Sequence, residues 1–129
     1  MLASARLKTI VCTTELGRAR QFYGELLELP TKGISDGALV FDVGGADLLV
    51  APVPSCEPSA HTVIGFAVPD LRAVMATLSA RGVACERFEG LPHDPDGIVR
   101  SPDGAHVAWV RDPDGNILSI VEYPRTQVT

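Results

Sequence analysis

Residues able to do chemistry are few in this chain and widely scattered. Three cysteines, Cys12, Cys56 and Cys85, form an odd set without the short pairwise spacing of a zinc knuckle, so neither a disulfide framework nor a structural zinc site is expected and the thiols are read as reduced. Cys12 has no base beside it in sequence, which favours an inert thiol over a nucleophile. Ser119 lacks a visible His-Asp set and gives a serine hydrolase no support. Of the three histidines, His93 and His106 sit among Pro, Asp and Gly and are expected in a solvated loop and hairpin, whereas His61 stands just ahead of an apolar strand pattern. Lys8 lies near a strand start, where a snorkelling surface role competes with a polar handle on a ligand. Trp109, the only tryptophan, either fills a core or dimer interface or stacks on a ligand.

What must position these groups is legible around "RDPDGNILSI" (111–120). Pro113 pre-sets the first corner of a turn, Asp114 suits the second, and Gly115 can take the left-handed conformation that closes a three-residue hairpin. If Asp112 faces Asn116, then Arg111 opposes Ile117 and Trp109 opposes Ser119. Val107, Trp109, Ser119 and Val121 then share one face, and the more uniformly apolar Ala108, Val110, Leu118 and Ile120 share the other, the better candidate for packing under a helix.

The same unit occurs twice. "LKTIVCTTELGRARQFYGELLEL" passes from an alternating strand through an acid-Leu pair into a helix carrying Leu16, Ala19, Phe22, Tyr23, Leu26 and Leu27. Fifty-five positions later "TVIGFAVPDLRAVMATLSARGV" repeats it, with Asp70 as N-cap, a stripe of Leu71, Val74, Met75 and Leu78, and Gly82 as the stop. "FDVGGADLLV" superposes on "RDPDGNILSI" at an offset of 70, aligning Leu49 with Ser119. Each half reads βαβββ. The expected organisation is a first module over 1–54, a Pro-rich connector over 55–60 and a second module over 61–129.

The chain has 129 residues, 46% of them apolar, with a formal charge of −5 from interspersed acids and bases. That suffices for a core and disfavours nucleic acid or an anionic membrane as partner, leaving a neutral or cationic small molecule. No signal peptide or apolar membrane span is read, so a cytoplasmic protein is expected.

Two βαβββ modules, "ELGRARQFY" after the first strand and "DPDGNILSI" near the end together resemble the vicinal oxygen chelate superfamily of glyoxalase I, extradiol dioxygenases, fosfomycin resistance enzymes and bleomycin resistance proteins. The resemblance implies an α+β fold of two tandem modules whose curved mixed sheets surround a concavity, helices outside, often completed as a homodimer. It also implies four metal-ligand positions in the metal-using members, which fall here on Lys8, Leu49, Val63 and Ser119. None is imidazole, carboxylate or thiolate, so neither a metal nor another cofactor is expected. His61 is offset from Val63 by about 6.6 Å of strand, too far to substitute at the same site.

Alternation places Cys12, Leu39, Phe41, Leu49, Val63, Trp109 and Ser119 on the concave side, with Lys8 and His61 as polar handles. The leading expectation is a metal-independent small-molecule binding protein that sequesters or carries a partly aromatic ligand, in the manner of bleomycin resistance proteins. The alternatives are a metal-independent isomerase, cyclase or lyase using Lys8 or His61, and a metal-dependent glyoxalase-like or dioxygenase enzyme with other ligands.

Overall fold

Alternation of small apolar and polar residues gives β1 (Lys8–Thr13), in which Val11 and Thr13 are buried while Lys8 and Ile10 are exposed. A computed structural model describes residues 1–125. The chain divides into two compact units, one comprising Met1–Pro58 with Asp112–Gly115, the other Ser59–Arg111 with the segment that begins at Asn116. After β1 come α1 (Leu16–Arg20), a π-helical turn (Gln21–Leu26), β2 (Thr31–Ser35), β3 (Ala38–Val43) and β4 (Ala46–Pro52). The second unit supplies β5 (Thr62–Ala67), α2 (Leu71–Ala80), β6 (Val99–Arg100), β7 (His106–Arg111) and β8 (Ile117–Glu122).

Both units have one topology. The sheet orders are β1-β4-β3-β2 and β5-β8-β7-β6, with β1 parallel to β4, β5 parallel to β8, and the remaining neighbours antiparallel. These are the two tandem βαβββ modules that the repeat foretold. Ile10 pairs with Leu49 and Gly65 with Ser119, so the offsets of 55 and 70 hold in three dimensions. The second hairpin also pairs as expected, Trp109 with Ser119 and Arg111 with Ile117.

One face of each sheet lies under its helix. In the first unit Leu39, Phe41, Leu48 and Val50 are buried on the side of Ala19, Phe22 and Tyr23, with the Tyr23 and Phe41 rings 6.0 Å apart. In the second, α2 packs on β7 and β8, and Ala108, Val110, Leu118 and Ile120 are buried with Leu71, Met75 and Leu78. Asp70 caps α2 by accepting from the Ala73 amide at 3.1 Å, and Glu122 accepts from the Leu71 amide at 2.9 Å. Two first-turn donors that a helix leaves unsatisfied are thereby paired.

The register corrects one expectation. Alternation places Leu39 and Phe41 on the face of Leu49, but Leu39 pairs with Val50, Phe41 with Leu48, and Val40 with Leu49. Leu39 and Phe41 therefore belong to the helix-side core. The cause is the turn: Gly44 and Gly45, both at positive φ, close a two-residue hairpin, whereas residues 113–115 close a three-residue one. A single offset of 70 cannot serve both sides of turns of unequal length, and the strand before the turn is shifted by one residue, which exchanges its faces.

The expectation of three reduced thiols is also corrected. Cys12 and Cys56 form a disulfide, their Cα atoms 6.1 Å apart, and Cys85 is the free cysteine. Spacing could not show this, because the two come together only when the connector turns back along β1.

Candidate functional site

The turn that closes β7 and β8 is held by the corner between β1 and α1. Gly115, at φ 90°, donates its amide to the Asp112 carbonyl at 3.0 Å, and Asp112 accepts a buried hydrogen bond of 2.6 Å from the Tyr23 hydroxyl. Asp114 Oδ1 accepts from both the amide and the hydroxyl of Thr14 at 2.9 and 3.0 Å. Burial works against charge on Asp114, yet hydrogen bonds from Thr13 and Thr14 and the Arg18 guanidinium outweigh it and lower its pKa. For Tyr23 burial comes first and the Asp112 charge second, and both push the phenol pKa upward. These bonds hold residues 112–115 within the first unit.

In the second unit β7 presents Trp109 on the helix-free face of its sheet, beside Ser119. Gly65 pairs with Ser119 from the other side, and a β-carbon there would stand 3.1 Å from the Ser119 hydroxyl oxygen, so the glycine keeps space open at that hydroxyl. The segment after α2 returns beside Trp109, the Glu86 amide donating to the Trp109 carbonyl at 2.7 Å. That pairing brings in two rings. Phe88 meets the indole edge-on at 5.4 Å and His93 does so at 6.0 Å.

His93 was expected in a solvated loop, and the structure corrects this. It is half-buried, with Nε2 accepting from the Phe88 amide at 2.9 Å and Nδ1 2.7 Å from the Gly97 carbonyl. A backbone N–H can only donate and a carbonyl can only accept, so the two contacts match the tautomer that carries its hydrogen on Nδ1. No sequence signal pointed to Phe88 or His93, since "ERFEGLPHDPDG" has neither helical nor strand period.

Of the other expected site residues, Lys8, Cys12 and Leu49 belong to the first unit, and His61 and Val63 to the second. Leu49 and Cys12 lie on the helix-free face of the first sheet with Ile10. Lys8 is exposed and pairs with Asp47, whose carboxylate binds Lys32 at 2.8 Å and Arg6 at 3.0 Å; the Lys32 hydrogen bond, helped by the charges of Arg6 and Lys8, lowers its pKa. Val63 sits where the register of β5 shifts against β8 and is 36% exposed. His61 is exposed ahead of β5, its Nδ1 2.7 Å from the Ser59 hydroxyl.

On the opposite, helix side of the second unit, a cleft of about 370 Å³ is lined by residues including Arg72, Met75, Ser79, Cys85 and Ile98. At its rim Arg72 pairs with Asp94 and Asp96 at 2.8 Å each, and burial raises the pKa of the Cys85 thiol. It contains none of the expected site residues.

A family model of the glyoxalase/bleomycin resistance protein/dioxygenase superfamily matches residues 6–120. The chain belongs to that superfamily. A search of curated proteins finds no match. Among solved structures the fold is shared with a glyoxalase/bleomycin resistance protein from Catenulispora acidiphila DSM 44928, at 24% identity and TM-score 0.71, covering 94% of this chain and 100% of that one. It is shared with lactoylglutathione lyase from Agrobacterium tumefaciens at 21% identity and TM-score 0.71, covering 92% and 93%. TnmS3, an antibiotic binding protein from Streptomyces sp. CB03234, matches at 22% identity and TM-score 0.72, covering 96% and 99%. These likenesses establish the fold.

Superfamily membership raises the question of a metal, and the donor set answers it. The ligand positions implied by the resemblance hold Lys8, Leu49, Val63 and Ser119, which offer one ammonium, two alkyl groups and one hydroxyl. Among the described residues no group of three His, Cys, Asp or Glu could hold an ion. These residues do not fit a divalent metal. No helix among the described residues is long and apolar enough to cross a membrane.

Proposed function

We propose that this chain binds a small, partly aromatic molecule without a metal and sequesters or carries it. The observation that carries the reading is the Trp109, Phe88 and His93 ring cluster beside Ser119, with Gly65 leaving space at the hydroxyl. Such a cluster offers aromatic surface and one polar handle, the composition of a small-molecule site. The net charge of −5 favours a neutral or cationic ligand. TnmS3, which shares the fold, is described as an antibiotic binding protein. The enzyme reading asks Lys8 or His61 for acid-base chemistry, but both are exposed, one in a charge cluster on Asp47 and the other bonded to Ser59. The geometry therefore favours binding. The proposal includes a homodimer, because Ile10 at 65% and Val63 at 36% exposure leave apolar surface for a second copy to cover.

Trp109 fluorescence supplies the test. Titration with a planar aromatic cation of the acridine class is expected to quench it saturably, and Trp109→Ala is expected to weaken binding by about 1 to 3 kcal/mol while the protein stays folded. Unchanged affinity in the folded variant would place the ligand elsewhere. Light scattering is expected to give twice the chain mass, and chelator to leave the melting temperature unchanged. One tightly bound divalent ion per chain would overturn the metal-free reading.

A further inference from the structure

The connector between the modules is anchored at few points. The Val53 amide donates to the Thr13 carbonyl at 2.9 Å, extending the β1–β4 pairing by one residue. At the other end Pro58 lies against Gly115, where an added β-carbon would stand 3.1 Å from the proline ring. Between them, among the described residues, the backbone of 54–58 makes no hydrogen bond to another backbone group. What ties this stretch to the sheet is the bond from Cys56 to Cys12.

Its placement permits reversal. Cys12 points to the helix-free side of β1, while its neighbours Val11 and Thr13, 5% and 1% exposed, belong to the helix-side core. Opening the bond adds two hydrogens and removes no core contact. Both cysteines are only half-buried, so a small thiol can reach the sulfurs.

We propose that Cys12–Cys56 is a thiol–disulfide exchange site that determines whether the connector segment 54–57 is held to the first sheet or released. A low-molecular-weight thiol attacks one sulfur as thiolate, the S–S bond breaks, and the other protein sulfur leaves as a thiolate that takes up a proton. A second small thiol resolves the mixed disulfide. Two RSH are oxidised to RSSR, two electrons pass to the protein, and Cys12 and Cys56 become thiols; RSSR drives the reverse. Cys85 stands apart from this chemistry, since it lies in the other unit with its sulfur among Glu86, Gly97 and α2. The proposal is independent of the ligand reading.

The experiment uses the full chain carrying Cys85→Ser. Mass spectrometry across a series of glutathione redox buffers is expected to show a reversible two-electron transition between zero and two free thiols, with Trp109 fluorescence unchanged. Backbone order parameters of Ser55, Cys56 and Glu57 are expected to fall from about 0.85 when oxidised to below about 0.6 when reduced, and Cys12→Ser is expected to reproduce the low values under oxidising conditions. Two free thiols that persist in excess RSSR would overturn the proposal. So would reduction that occurs only when the protein unfolds, or order parameters that stay high after reduction, either of which makes the bond a static staple or an irrelevance.

Discussion

Equivalent positions in the two units hold different chemistry. Ile10, Leu49 and Val40 lie side by side across the helix-free face of the first sheet; Gly65, Ser119 and Trp109 occupy the same places in the second. One module fills the face with branched alkyl groups. The other has a missing side chain, a hydroxyl and an indole flanked by two more rings. The helix-side faces differ far less, Leu48 matching Leu118 and Val50 matching Ile120, all four buried. The scaffold is thus maintained on one side of each sheet, and the modules diverge on the other, which is where function can change without cost to folding.

That division predicts unequal mutational costs. Leu118→Ala and Leu48→Ala, at 0% and 2% exposure, should each cost about 3 to 4 kcal/mol in urea denaturation, against less than about 1.5 for the half-exposed Leu49→Ala. Equal losses at Leu48 and Leu49 at every protein concentration would erase the distinction between the faces.

A smaller effect separates the helices. Tyr23 and Leu78 correspond at the offset of 55, but only Tyr23 carries a hydroxyl, and it donates to Asp112. Tyr23→Phe should cost about 1.5 to 3 kcal/mol, the range for hydrogen bonds to charged groups. Because the folded protein raises the phenol pKa, the unfolded chain loses that proton first: the stabilisation is complete below the unfolded value of 10.0 and falls as pH rises beyond it. Denaturation midpoints should decline less steeply above pH 10 in Tyr23→Phe than in the parent, and parallel declines would discount the Tyr23–Asp112 bond.

The turns give the smallest contrast. Gly115 and Gly44 both have positive φ, but a β-carbon would meet Pro58 at the first and open space at the second. Gly115→Ala should cost about 1 to 2 kcal/mol and Gly44→Ala no more than about 1, compared by melting temperature.

How much of this was legible in the sequence depended on how local the information was. The pairing of Trp109 with Ser119 could be read outward from Pro113, Asp114 and Gly115, because a turn fixes register over a few residues. Asp70 and Gly82 marked α2 by the same local logic, one through its side-chain cap and the other through its positive φ. Alternation alone puts Leu39 and Phe41 on the wrong face, because the turn before β4 is one residue shorter than the turn before β8. Phe88, His93 and the Cys12–Cys56 bond were out of reach, since each depends on an aperiodic segment returning to a strand.

The contacts of residues 112–115 with Thr14 and Tyr23 also bear on the order of events during synthesis. The first unit is discontinuous: its corner at Thr14 is completed by Asp114, one hundred residues later. A ribosome releasing this chain from its N-terminus exposes β1 to β4 well before the loop that finishes them is made. While Asp112 and Asp114 are still inside the exit tunnel, the donors on Tyr23 and Thr14 have yet to meet these acceptors. A chain truncated ahead of Asp112 would lack more than a hairpin of the second module; it would leave the first permanently unfinished.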